Sequence, residues 1–136
     1  TALEISRNTW REALESSGTA WERIEKLSDN LVKTAFTEES FLYTRIIIQA
    51  ITQGKGIPGV LEYIAQHATH YGELAPLIIE AQKSGEAVQG DPEVLATAYF
   101  ALYQGYVLFL LHDDALKNKI TPEVFTNILR NPEKSK

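Results

Sequence analysis

His67 and His70 stand three residues apart, and Glu73 follows three residues later. On a helix, residues at that spacing are neighbours on one face. Two imidazoles and a carboxylate would then share a side. Zinc uses such pairs but needs a third and a fourth ligand, and the sequence forces none, so the reading is no metal. Asp113 and Asp114 follow His112 and read as a solvated helix end rather than a metal grip. The absence of cysteine removes a thiolate nucleophile. Gly54-Lys55-Gly56 lacks the pattern of a phosphate loop and the strand that precedes one. Nothing in the sequence brings Ser, His and Asp together. The expectation is no enzyme, no catalytic residue and no cofactor.

Binding of a small organic molecule fits the same residues better. Val60, Leu61, Ile64, Ala68 and Tyr71 form an apolar face at helical spacing, with Tyr63, His67 and His70 along its edge. Polar heads bordering an apolar wall orient a guest in a cavity. Trp21, Phe41 and Arg45 could close that cavity from two earlier segments, and Tyr99 and Tyr103 from a later one. The candidate ligand site is thus Trp21, Phe41, Arg45, Tyr63, His67, His70, Tyr71, Tyr99 and Tyr103. The competing reading of each is a core-edge side chain whose polar tip reaches water. Arg45 suits an anionic or carbonyl-bearing guest, or equally a solvent-facing strip with Gln49 and Thr52.

The chain has 136 residues, enough for one domain. It is 44% hydrophobic and 23% charged, a globular composition. Thirteen basic against 18 acidic residues leave a net charge of −5. Phosphate binding needs clustered Lys and Arg, and no such cluster exists, so the chain itself is a poor nucleic-acid binder. Lack of cysteine agrees with a reducing cytoplasm. No secretory signal is visible. The longest wholly apolar run, Tyr106–Leu111, falls far short of the ~20 residues that span a bilayer. A cytoplasmic protein away from membranes is expected. The sequence starts at Thr1 and holds no Met, so it is expected to be processed or partial.

Helical periodicity must position these groups. A first helix spans 2–16, with Leu3, Trp10, Ala13 and Leu14 on one side, and Ser16-Ser17-Gly18 stops it. Thr19 and Glu22 read as a capping box for a second helix. Its apolar stripe is Trp21, Ile24, Leu27, Ser28, Leu31, Val32 and Ala35. A third helix, Glu38 to Gln53, is apolar around most of its circumference and is expected in the interior. Gly54-Lys55-Gly56 ends it. Pro58 starts a fourth. Pro is tolerated in a first turn, so Pro76 places the start of a fifth near Glu73, running to Ser84 with Gly85 as its stop. Asp91-Pro92 opens a sixth, to about residue 113, and Thr121-Pro122 a short last one ending near Arg130. The tail, 132–136, is expected to be frayed. The fold class is an all-α bundle of about seven helices.

The sixth helix is oily on every side. Val94, Ala98, Ala101, Gly105 and Leu108 fall together on a wheel; Leu95, Tyr99, Leu102, Tyr106 and Phe109 occupy the next sector. Phe100, Val107 and Leu111 lie on a third side. A helix apolar all round must be buried all round, and one small domain covers too little of it. Gly105 in mid-helix costs about 1 kcal/mol against Ala, and the small row Ala98, Ala101, Gly105 lets another backbone approach. A two-fold pair of such helices is the expected solution.

Residues 74–111, with Gln82, Gly85-Glu86, Asp91-Pro92-Glu93 and the mid-helix Gly105, resemble the C-terminal regulatory domain of the tetracycline-repressor (TetR/AcrR) family. Residues 8–32, "NTWREALESSGTAWERIEKLSDNLV", look like that family's linker helix followed by the first helix of the regulatory core. The resemblance implies a division into a linker helix (1–17), a regulatory ligand-binding and dimerisation domain (18–131) and a disordered tail (132–136). It also implies an N-terminal helix-turn-helix head that this sequence does not contain, through which a repressor would contact operator DNA. The fifth and sixth helices would form a four-helix interface between two subunits. The interface residues expected are Leu74, Leu77, Ile78, Ala81, Leu95, Ala98, Leu102, Gly105, Tyr106 and Phe109. Partners implied are a second copy, a small organic effector and, through the head, operator DNA. The alternative is a helical protein–protein interaction module with no small-molecule ligand.

Overall fold

Thr19 and Glu22 close a reciprocal capping box. The Glu22 N–H donates to Thr19 Oγ1 at 3.1 Å, and the Thr19 N–H donates to Glu22 Oε1 at 3.0 Å. Two otherwise orphaned donors are satisfied, and the chain enters a long helix at a fixed angle. The computed structural model describes residues 8, 10–53, 59, 71–110 and 112–133. Among them are seven helical segments: α1 (10–14), α2 (Ala20–Thr34), α3 (Glu38–Gln53), α4 (Tyr71–Lys83), α5 (Pro92–Leu110), α6 (Asp114–Lys117) and α7 (Pro122–Thr126). The all-α architecture is as the sequence leads one to expect.

The stripe of α2 is the floor of the core. Trp21, Ile24, Leu27, Ser28 and Leu31 are buried, and Ala35 just beyond the helix is buried with them. α2 packs on α4 and α7; α4 packs on α5, and α5 on α3. Where α1, α5 and α7 meet, aromatic rings interlock. Trp10 meets Tyr99 edge-on at 6.4 Å between centroids, and Phe125 lies 6.0 Å from Tyr99 and 5.7 Å from Tyr106. Edge-to-face and tilted pairs at these separations add to what burial alone contributes.

The turn between α4 and α5 is fixed by backbone chemistry. Gly85 adopts φ 81°. The Glu86 N–H donates to the Ala81 carbonyl at 2.9 Å, and the Gly85 N–H to Gln82 at 3.1 Å. This is a Schellman cap, and its left-handed position favours glycine. The Gln82 amide then clasps the loop, donating to the carbonyls of Val88 and Gly90, each at 3.0 Å. Asp91 caps α5 by accepting from the N–H of Glu93 at 2.8 Å and of Val94 at 3.2 Å. The same loop is pinned to the C-terminal segment. Ala87 pairs with Arg130 in an isolated antiparallel bridge, and the Val88 N–H donates to the Leu129 carbonyl at 2.7 Å.

Four expectations need correction. First, α3, expected in the interior, is not covered on every side. Among its described side chains Ser40 and Thr44 are buried, while Leu42 and Ile46 stand 48% and 41% exposed. Ser40 turns inward to a hydroxyl on α5, described below. Second, α4 starts at Tyr71 and carries Pro76 inside it. Pro76 forfeits one backbone bond, which the burial of Leu74, Leu77, Ile78 and Ala81 offsets. Third, α5 ends at Leu110, and Asp113 caps a separate short helix, accepting from the Leu116 N–H at 3.1 Å. Fourth, Thr121 precedes Pro122 as expected but makes no side-chain cap bond.

Candidate functional site

Three features could bear function: a buried polar seam, an open groove at one end of α3, and an uncovered side of α5. The seam begins with Ser28. In mid-helix its hydroxyl bonds back to the Ile24 carbonyl at 3.1 Å, a pattern common for Ser in helices. It also meets the Tyr99 hydroxyl at 2.8 Å. One turn along α5, Tyr103 donates to Ser40 Oγ at 3.1 Å, and Ser40 in turn donates to the Thr34 carbonyl. Burial pushes both phenols above the ordinary tyrosine range, and the serine hydrogen bonds only partly oppose it. Tyr99 and Tyr103, expected to reach a ligand, are therefore core residues with satisfied hydroxyls.

Two buried polar groups, Thr44 Oγ1 on α3 and Gln104 Nε2 on α5, have no partners among the described residues. Thr44 is wholly buried and Gln104 is 8% exposed. An unmet buried group of this kind costs roughly 1–3 kcal/mol. Neither was singled out from the sequence. The signal was a Ser/Thr pair four apart in an apolar helix, and a lone Gln inside Tyr103-Gln104-Gly105-Tyr106-Val107.

The other candidate ligand residues scatter. Trp21 is buried, with the Arg130 guanidinium 5.2 Å from its ring centroid. Arg45 is exposed, on the side of α3 away from Ser40 and Thr44. Phe41 is half-buried and lines an open groove of about 380 Å³ with Phe36, Glu38, Leu42 and His112. Tyr63, His67 and His70 lie outside the described residues, as does the side chain of Tyr71, whose backbone opens α4. Among the described residues no three His, Cys, Asp or Glu side chains gather into a metal site.

α5 divides into two sides. Ala96, Tyr99, Phe100, Tyr103, Gln104 and Val107 turn inward. On the opposite side Val94 is 64% exposed and Phe109 82%, and Ala98 and Ala101 are exposed between them. At about 100° per residue, Val94, Ala98, Ala101, Gly105 and Phe109 fall within about 80° of one another. A Cβ built at Gly105 meets nothing within 4 Å. A shallow apolar groove of about 330 Å³ runs here between Ala101, Leu102, Gly105, Tyr106, Phe109 and Leu110.

Of the expected interface residues, Ala98, Gly105 and Phe109 lie on this open side, and Leu95, Leu102 and Tyr106 flank it half-buried. Leu74, Leu77, Ile78 and Ala81 do not; they are at most 6% exposed and belong to the chain's own core. The outer side of α4 presents Pro76, Ile79 and Glu80 instead. By length and mean hydropathy α5 is apolar enough to cross a membrane, although its longest unbroken apolar run is short; a third of that window is buried in the fold. No protein-family model, no curated protein and no solved structure matches the chain.

Proposed function

We propose that this chain is the effector-binding and dimerisation domain of a transcriptional regulator resembling the tetracycline-repressor family. The observation that carries the reading is the uncovered apolar side of α5. A contiguous row of apolar residues along one helix marks an interaction surface. Gly105 sits in the middle of it with open space before it. A mid-helix glycine that no neighbour in its own chain requires is accounted for by a second backbone passing close by. An identical helix related by a two-fold axis meets that need with one surface.

The mechanism proposed is a population shift. An effector that binds one packing of α2–α5 better than another biases that packing. α1, whose Trp10 is locked against Tyr99 and Phe100, passes the change toward the DNA-binding heads. Two heads must meet half-sites about 34 Å apart, so a small change in their separation weakens operator binding. Coupling of ~1–3 kcal/mol would give regulation of roughly 5- to 150-fold.

Sedimentation velocity on the purified chain tests the dimer. A discrete dimer at micromolar concentration supports the reading; a monomer favours a module that binds a different protein through the same face. The coding sequence ahead of Thr1 tests the regulator class. A basic helix-turn-helix there supports it, and any other domain opposes it.

A further inference from the structure

The groove at one end of α3 is lined by unlike groups. Phe36, in the turn before α3, and Phe41 and Leu42, early in that helix, are its apolar lining; Glu38 and His112 are its polar lining. Its volume of about 380 Å³ suits a small molecule. Both phenylalanines are half-buried and packed against the core, so the aromatic wall is held by the fold. Glu38 opens α3 and is exposed. Among the described residues it has no cationic partner: Lys26, Lys33 and Lys117 pair with Glu12, Asp29 and Asp114 instead. No described Lys or Arg lines the groove. The charges around His112 are acidic: Glu38 in the groove, its neighbour Asp113, and Asp114, whose carboxyl it helps to hold low. A neutral imidazole there has one nitrogen free to accept a hydrogen bond. An anionic guest would meet Glu38 with only His112 to answer it. An ammonium guest meets a carboxylate, an acceptor nitrogen and two aromatic rings, and rings attract cations through their quadrupoles.

We propose that this groove binds a small amine in its protonated form, one with an aryl or alkyl body. Glu38 is the counter-ion, His112 accepts an N–H, and Phe36, Phe41 and Leu42 take the body. The inference rests on the effector-binding reading above and supplies the effector's chemical class and its place. Such a guest touches the first turns of α3 and, through His112, the chain two residues beyond Leu110. Leu110 ends α5 and lines the groove on its open side, so the guest reaches the end of the helix that carries the dimer face.

Three ten-carbon probes that differ in their heads test this on the intact chain: 4-phenylbutylamine, 4-phenylbutan-1-ol and 4-phenylbutyrate. Calorimetry gives affinities, and nitrogen-15 spectra of the labelled chain give the place. The amine is expected to bind roughly 3- to 30-fold tighter than the alcohol, from an exposed ion pair and a cation–π contact together, and the acid weakest. Backbone signals of residues 36–42 and 112 should shift most. Glu38→Gln should weaken the amine about twofold or more and leave the alcohol unchanged. Glu39→Gln is the control. Glu39 shares the first turn of α3 and does not line the groove, so the amine should bind this variant like the parent. The inference is overturned if the amine binds no better than the alcohol, if the acid binds as well, or if the shifts centre elsewhere. Equal weakening by both substitutions would show general acidity at work and would overturn it too. The shifts on the unmutated chain stand even if a variant does not fold. A dimer that ignores the amine defeats this inference alone; a monomer that binds it in the groove defeats only the dimer reading.

Discussion

Replacing Gly105 with Ala should act with opposite sign on the single subunit and on the pair. Within a subunit the added methyl meets nothing within 4 Å, so no clash opposes it. A glycine in a helix interior costs about 1 kcal/mol relative to alanine. The folding equilibrium of the dilute, monomeric protein should therefore rise about fivefold, and its melting temperature by about 4 °C. Between subunits the methyl appears twice, at the closest approach of two α5 helices. Overpacking a close contact costs typically 1–3 kcal/mol, which weakens the dimer by roughly 5- to 150-fold. Urea unfolding at high dilution reads the first effect, and sedimentation equilibrium across a concentration series reads the second. Gly105→Ala protein that is less stable when dilute, or that self-associates like the parent, would refute the reasoning.

Further expectations follow from the same geometry. Phe109→Glu should leave subunit stability within about 0.5 kcal/mol, because the ring is 82% exposed, yet abolish self-association; a melting curve and a sedimentation profile check the two halves. Tyr99→Phe should cost about 1 kcal/mol, since Ser28 keeps its bond to the Ile24 carbonyl. Ser28→Ala should cost more, roughly 1–3 kcal/mol, because it strands a buried phenol; urea unfolding ranks the two. Tyr99 and Tyr103 have their pKa values raised in the fold by burial. Their contribution to stability is complete below the unfolded tyrosine value, about 10. It is lost as pH rises beyond that toward the folded values. In a spectrophotometric titration, Tyr99 and Tyr103 should ionise only with alkaline unfolding.

How legible the fold was depended on the kind of signal. Local rules worked where chemistry is short-range: the Thr19–Glu22 box, the Gly85 stop and the Asp91 cap are each set by residues within a few positions. The stripe of α2 was readable because polar and apolar residues alternate cleanly around it. α3 misled in part, because Leu42 and Ile46 were counted toward an interior helix and stand exposed. Tyr103 on α5 holds Ser40 inward, and no local pattern announces a partner 63 residues away. The same limit explains α4. Leu74, Leu77, Ile78 and Ala81 form a row that would serve a partner or a core equally well, and the stripe of α2 claimed it. On α5 the wheel grouped Val94, Ala98, Ala101 and Gly105, which share the open side, but it set the exposed Phe109 beside the buried Tyr99. Thr44 and Gln104 escaped notice because a polar residue in an oily helix is informative only once its neighbours are known.

The most direct measurement of the central claim uses a feature of the sequence itself. The chain contains no cysteine, so a single one introduced by Ala101→Cys, on the exposed side of α5, reports only on itself. If two α5 helices meet across a two-fold axis, mild oxidation should convert most of the protein to a covalent dimer that retains the parent's sedimentation coefficient. Glu25→Cys, exposed on the far face of α2, should stay monomeric on a non-reducing gel. No cross-link at position 101, or equal cross-linking at 25, would contradict the pairing of α5 with its own copy.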